Sequence, residues 1–508
     1  MNPYNYCAAV LSAMIFFSCS KKTAAPSSES AVRTHTYYVA VSGNDANAGS
    51  AGAPLKTINH ALSLTAPGDS VIVRGGTYSE KVLISRTGAA GKYITLKAYA
   101  GETPVIDGTG LTPNGVEGLI AVKGVKFIVV KGFTTCNFVS TSQSGDPKGI
   151  LVQDGSDYIE IRNNTVFNIS YDHTPLDGGC NAILVKGNTT DPVTNILVDG
   201  NTIHDCRTGY GENLTINGYV DGFTVSNNTV YNGQNIGIDA AGGYAANSTP
   251  ALNYVRNGVI SGNTLYNIES SRGQLGGHGA IGIYLDGSRN ITVERNRVSS
   301  TDRGIGVVSE TIGFPTDSAI VRNNFIYNCW CSGIYMGGYL NYTTGGTTNG
   351  FIVNNTLYNN DRVTGAFGEI EGEISIREQC TGNTIANNII YGGANDLLVH
   401  KYTSTGANNI IDHNLYFSAG PYQWIWGSTN GAVISDAGAF KTASGGDGNS
   451  SFGADPLLVS TATPDLHIQA ASPAKNSGLV ISTRINGSVD IDGNPRIVNN
   501  KISKGAAQ

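Results

Sequence analysis

Residues 225–232 read VSNNTVYN, and the same eight-residue figure returns along the chain. It stands as IRNNTVFN at 161–168, VDGNTIHD at 198–205, ISGNTLYN at 260–267, VERNRVSS at 293–300 and VRNNFIYN at 321–328. It continues as IVNNTLYN at 352–359, IANNIIYG at 385–392 and IDHNLYFS at 411–418. One Asn is common to all: positions 164, 201, 228, 263, 296, 324, 355, 388 and 414. Successive copies lie between 26 and 37 residues apart. Apolar residues alternate on both sides of that Asn, so the flanks are β-strands. The Asn-Asn and Gly-Asn doublets supply the turn, because Asn and Gly tolerate the left-handed conformation.

A unit of about 30 residues with two or three short strands and no long helix predicts a stacked solenoid. A β-propeller needs four strands per blade over about 40 residues, and these units are too short. The fold expected is all-β: a single-stranded right-handed parallel β-helix of about eleven or twelve coils between residues 70 and 420. The shared Asn residues should stack inside as an amide ladder, satisfying turn amides that water cannot reach.

The ends extend the pattern. Leu55, Ile58, Ala61 and Leu62 fall at helical spacing before Pro67-Gly68-Asp69. They predict one amphipathic helix capping the first coil. The block TYYVAVSGNDANAGSAGAPLKTINHALSLTAPGDSVIVRGGTYSEKVLI resembles the N-terminal block of secreted right-handed β-helix proteins of the pectate-lyase-like superfamily, including the ninth family of polysaccharide lyases. The tail ADPLLVSTATPDLHIQAASPAKNSG with SVDIDGNPRI resembles the closing segment of that group. The resemblance spans about residues 36–500 and implies a polysaccharide as partner.

Residues 8–17, AAVLSAMIFF, are too short to span a bilayer and read as the apolar part of a signal peptide. Ser18 before Cys19 resembles a bacterial lipobox, in which Cys19 is lipidated. KKTAAPSSES then reads as a tether. The expected organisation is a signal peptide with lipobox at 1–19, a flexible tether at 20–35, the β-helix at 36–420 and irregular C-terminal coils with a cap at 421–508. This places the protein in the bacterial cell envelope or outside the cell, as a monomer touching membrane only through a lipid anchor. With 32 basic and 38 acidic residues the net charge is −6, and no basic block points to nucleic acid. Six cysteines beyond the leader show no zinc spacing, and buried packing is expected of them.

The chemistry is sought on the second strand of each coil. The pattern small–apolar–x–apolar–x aligns A182-I-L-V-K186, N213-L-T-I-N217, G237-I-D-A-A241, G282-I-Y-L-D286, G306-V-V-S-E310, G333-I-Y-M-G337 and E373-I-S-I-R377. The third and fifth positions face outward. This alignment puts Asp286 and Glu310 in one column on neighbouring coils, roughly 5 Å apart, with Asp239 a coil away. Two carboxylates so close cannot both ionise cheaply, so one becomes a proton donor beside a charged partner. Asp286, Glu310 and Asp239 are therefore the expected catalytic residues. Tyr284 and Tyr335 are expected to stack on sugars, and His278, Arg303 and Arg377 to bind substrate. Glu212 and Tyr244 stand as further groove residues. Glu369, Glu371 and Glu373 in GEIEGEIS read as a solvated turn.

Three functions compete. The first is a glycoside hydrolase with paired carboxylates and no cofactor. The second is a polyuronate lyase, for which the family resemblance implies a Lys or Arg base (Arg272, Arg303 or Arg377) and calcium. No Asp-rich run like that of the ninth lyase family is present, and the D-x-D-x-N run at 490–494 has Pro495 where a calcium loop needs Gly. The third is a non-catalytic glycan-binding or adhesive surface protein. Neither the substrate glycan nor a metal is legible here; no metal ligands are expected from spacing.

Overall fold

The computed structural model describes residues 34–338, 345–362, 371–394 and 396–508, and Thr34–Gln508 form one compact unit. Cys19 and Glu369 lie outside the described residues. Each coil contributes one strand to each of three sheets, and the coil around residue 290 shows the order. Ile281–Asp286 belongs to the second sheet, Arg289–Glu294 to the first, Arg297–Ser299 to the third, and Arg303–Ser309 returns to the second. Equivalent strands pair in parallel, with Ile283 opposite Ile305, Val293 opposite Val321 and Val298 opposite Ile326. The second sheet holds 12 strands, from Val82–Ile84 to Trp424–Trp426, as eleven or twelve coils require.

The interior is built from inward branched aliphatic residues of all three sheets. Ile238, Ile283, Leu285, Val293, Val298 and Ile305 are wholly buried in one continuous core. At Gly258 the column gives way, because a side chain there would lie 2.1 Å from the Phe223 ring of the preceding coil.

The repeated Asn residues form the ladder. Asn263 shows the unit: its N–H and its Nδ2 both donate to Asn296 Oδ1, each at 2.9 Å, and Nδ2 also donates to Val225 O. The same links run from Asn164 through Asn201, Asn228, Asn263, Asn296, Asn324, Asn355 and Asn388 to Asn414. All are essentially without solvent contact. The left-handed residue is the one before each ladder Asn: Asn227 has φ 54°, Gly262 67° and Asn323 55°. The doublet thus divides its labour, with the first residue turning the chain and the second filling the ladder.

Helix Ile58–Ser63 buries Ile58, Ala61 and Leu62 against the first coil. Glu80 accepts the N–H groups of Ile58 and Asn59, satisfying orphan donors at the helix start. At the other end, helix Ala437–Ser444 lays Phe440 flat on Trp424, ring centroids 4.7 Å apart. The last residues then run back over earlier coils. The left-handed Asn387, Asn354 and Asn323 donate from their outward side chains to Leu479 O, Ser503 O and Asn486 O of this tail. Asp490 accepts the N–H groups of Asp492 and Asn494, so the D-x-D-x-N run closes its own turn. All six cysteines beyond the leader are buried and unbonded.

Candidate active site on the second sheet

The outer face of the second sheet carries the columns anticipated from sequence, with one change. Thr215 pairs with Asp239, Asp239 with Tyr284, and Ala241 with Asp286. The next strand is displaced by two residues from the expected alignment: Asp286 stands opposite Val308, not Glu310, and Tyr284 opposite Gly306. The stretch RGIGVVSE offers two glycines, and Gly304 is the one that pairs beside Gly282. Gly306 is needed where it stands because the Tyr284 ring lies over it, and a Cβ there would be 2.4 Å from that ring. A slip of two keeps every facing, so Glu310 still points outward but sits past the strand end.

The turn brings it back. The Glu310 N–H donates to Asp286 Oδ1 at 2.8 Å. Tyr284 Oη donates to Glu310 Oε1 at 2.9 Å. Tyr244, carried on the bulge after strand Ile236–Ala241, places its hydroxyl between Asp286 Oδ2 and Glu310 Oε2. Asp239, Glu212, Asn217 and Tyr210 complete a cleft of about 430 Å³ around them. Glu212 is held by Asn181 Nδ2 and Thr215 Oγ1, at 3.0 and 2.9 Å.

One proton count follows from this geometry. Tyr244 has a single hydroxyl proton but stands between two carboxyl groups. It can donate to only one, so the other contact needs a proton on the carboxyl itself. Burial, and then the Glu310 charge, push Asp286 well above the ordinary carboxylate range. The three groups therefore share one proton more than two ionised carboxylates would allow, and the upward shift makes Asp286 the carboxyl that favours holding it. Burial, followed by the charges of Glu212, Asp286 and Glu310, likewise raises Asp239. Burial raises Glu212, and burial with the two neighbouring carboxylates keeps Tyr244 protonated. The group titrates as a unit rather than residue by residue.

The other expected residues gather elsewhere. Tyr335 is buried beneath the guanidinium groups of Arg303 and Arg377, 5.1 and 4.9 Å from its centroid, so its ring offers no face to a sugar. The Tyr284 ring is equally buried, and only its hydroxyl serves the cleft. Arg303 forks onto Glu371 through Nε and Nη2, and Arg377 stands 3.8 Å from the same carboxylate. Glu371 and Glu373 are thus fully buried, which overturns the solvated-turn reading. Charge compensation from two arginines permits this for Glu371, and Asn360 meets both oxygens of Glu373. His278 lies apart from the cleft, its Nδ1 3.0 Å from the buried Asp302 and its ring beside Trp330.

Beside Glu373, burial pushes Asp361 up to about 8. The unfolded chain loses that proton near the ordinary value of about 3.9. The stability it contributes is complete in acid and fades as the pH climbs toward its folded value. The unfolding midpoint should therefore fall between about pH 4 and about pH 8, and level off above that. Thermal scans of Asp361→Asn should show a shallower fall; an identical slope would dismiss the assignment.

Among the described residues no group of three or more His, Cys, Asp or Glu side chains is arranged to hold a metal ion. In the cleft, both Asp286 oxygens and both Glu310 oxygens already meet protein hydrogen bonds.

Residues 37–246 match the model of the Pel9A-like right-handed β-helix region, and residues 251–439 match that of the right-handed β-helix region. The uncharacterized protein YwoF of Bacillus subtilis (strain 168) is 31% identical over 443 residues, covering 86% of this chain and 92% of YwoF. The chain belongs to the pectate-lyase-like right-handed parallel β-helix proteins. Within this group, pectate lyase PEL9 of Emericella nidulans is 30% identical over 142 residues, which is 26% of this chain and 35% of that enzyme. Two solved structures share the fold at low identity. The GH136 lacto-N-biosidase of Eubacterium ramulus superposes with a TM-score of 0.54 at 14% identity, covering 75% of this chain and 67% of that one. The complex of XylC with xylose gives 0.51 at 13%, covering 93% and 98%. The cleft of this pectate-lyase-like protein is built around the tyrosine-bridged carboxyl pair. Tyr244 on its bulge and the register of Glu310 carried no periodic signal that strand reading could use, whereas Asn217 stands in the outward column that the strand pattern gave.

Proposed function

We propose that this β-helix protein acts on polysaccharide, as a glycoside hydrolase that cleaves its substrate in the second-sheet cleft. The observation that carries the reading is the Asp286–Tyr244–Glu310 chain, which holds one carboxyl protonated beside a second that receives hydrogen bonds from two phenols. Asp286 gives its proton to the glycosidic oxygen as that bond breaks. Glu310 attacks the anomeric carbon and forms a glycosyl ester. Asp286, now a carboxylate, takes a proton from water, and that water hydrolyses the ester and restores both groups. Asp239 supports the pair. No cofactor enters these steps.

The partial match to pectate lyase PEL9 favours a second reading, β-elimination from a polyuronate. Arg303 and Arg377 are poor bases for it, since both are buried against Glu371. Incubation with a polysaccharide panel separates the two. Hydrolysis raises reducing ends without any ultraviolet-absorbing unsaturated sugar; appearance of that sugar would replace the hydrolase by the lyase.

We also infer a lipid anchor at Cys19, holding a monomer at the cell envelope. Wild-type protein should partition with membranes and label with a fatty-acid probe, and Cys19→Ser should do neither. A Cys19→Ser protein that stays with the membrane removes the anchor.

A further inference from the structure

The cleft shows more than where a bond breaks. Four carboxyl groups line it, from Glu212, Asp239, Asp286 and Glu310, and no Lys, Arg or His is among its described lining residues. The internal stretches 339–344, 363–370 and residue 395 contain none of these residue types either. Lys148, two coils upstream of Glu212, is buried and paired with Asp146. Lys186 stands in the outer column beside Asn217 but outside the cleft, and its coil lies three from that of Asp286, roughly 14 Å by coil spacing.

Two residues that line the cleft each carry a buried oxygen without a hydrogen-bond partner. Asp239 is 3% exposed, and its Oδ1 makes no hydrogen bond. The Oδ1 of Asn217, on the coil before, is buried and equally unpartnered. Buried acceptors left unmatched are costly, and native structures keep few of them unless a ligand completes them. Both atoms call for donors. Sugar hydroxyls are donors; the carboxylate of a uronate is another acceptor and another negative charge. At the mouth, Tyr210 is 59% exposed, far more than a ring serving only as packing, and it offers a face to a pyranose.

We infer that the cleft binds an uncharged sugar, gripped through two hydroxyl groups by Asp239 and Asn217 and covered by Tyr210, and that it rejects uronates. This rests on the proposed glycan-active reading and narrows it, against the uronate chemistry suggested by the partial match to a pectate lyase.

The test uses full-length Asp286→Asn protein for binding, because Asn copies the protonated carboxyl and leaves the charge of the cleft intact. A glycan array and titration calorimetry present neutral gluco-, galacto- and xylo-oligosaccharides beside polygalacturonate and alginate. Wild-type protein is assayed in parallel for cleavage. Binding of a neutral glycan, with no binding of polyuronate, is expected. Adding Asp239→Asn should weaken it by about 3- to 10-fold, the usual effect of losing one neutral hydrogen bond, because the amide presents a single acceptor oxygen. The unfolding midpoint of that variant should not drop. Polyuronate bound or cleaved overturns the inference, and so does binding of neither class or a full-affinity Asp239→Asn. A neutral glycan that binds but is never cleaved upholds the sugar class and removes the hydrolase reading instead.

Discussion

Replacing Asp286 by Asn, or Glu310 by Gln, should lower turnover of the cognate glycan by about 10²–10⁴-fold, the range for a lost acid or base. The two effects should be far from additive, because Tyr244 links both groups into one proton-sharing unit. Stability should move the other way for Asp286. Its folded carboxyl holds a proton that the unfolded chain releases, so its contribution is complete below the unfolded value and declines as the pH rises through the folded one. Asn cannot ionise, and the unfolding midpoint of Asp286→Asn should equal or exceed that of wild type at neutral and alkaline pH. The carboxyl groups are joined through one hydroxyl, which leaves no space for a water between them, and the product should keep its anomeric configuration. Kinetics on an identified substrate, NMR of the first product and thermal scans against pH check these four results. Full activity in both single variants would dispose of the pair, and inversion would dispose of Glu310 as nucleophile.

Asn263→Ala should be the most damaging single change in the scaffold, costing about 3–5 kcal/mol by the sum of its orphaned groups. Asn263 Oδ1 accepts both the N–H and the Nδ2 of Asn228, and Asn263 Nδ2 serves Val225 O and Asn296 Oδ1. Alanine strands groups on both neighbouring coils, in a place with no solvent contact. Asn267→Gly makes the control. Asn267 is left-handed at φ 54°, which glycine tolerates, and its side chain makes one long bond to Asn232 on the outside. That change should cost less than about 1 kcal/mol, since an outside hydrogen bond exchanges with water. Denaturant midpoints for the two variants decide; equal losses would mean the ladder does not hold the coils.

The nine coils from Asn164 to Asn414 were legible because each announces itself with the same buried Asn, whose amide both donates and accepts toward the neighbouring coils. Facing on the second sheet was legible for the same reason that register was not. Period-two alternation fixes which side a residue takes, but a shift of two residues leaves it unchanged. Gly304 and Gly306 both fitted the small position, and only the Tyr284 ring, one coil earlier, chose between them. The buried state of Glu371 was hidden because its counter-charge Arg303 lies 68 residues away in sequence. Tyr244 reaches the pair from 42 residues before Asp286, on a bulge whose path no strand periodicity encodes.

The outward Asn residues that hold the returning tail have a consequence for how the chain completes itself. Asn323, Asn354 and Asn387 belong to three successive coils and meet the tail at Asn486, Ser503 and Leu479. They stand in line only after those coils have wound in the correct order. A chain emerging from the ribosome can wind coil upon coil, but residues 479–503 find their three anchors only once those three coils are wound. The tail is then a clasp that checks the winding. A stack that has skipped or doubled a turn offers it mismatched anchors, and Tyr327, Tyr358 and Tyr391, which the closing segments cover, stay open to solvent as a mark of the error.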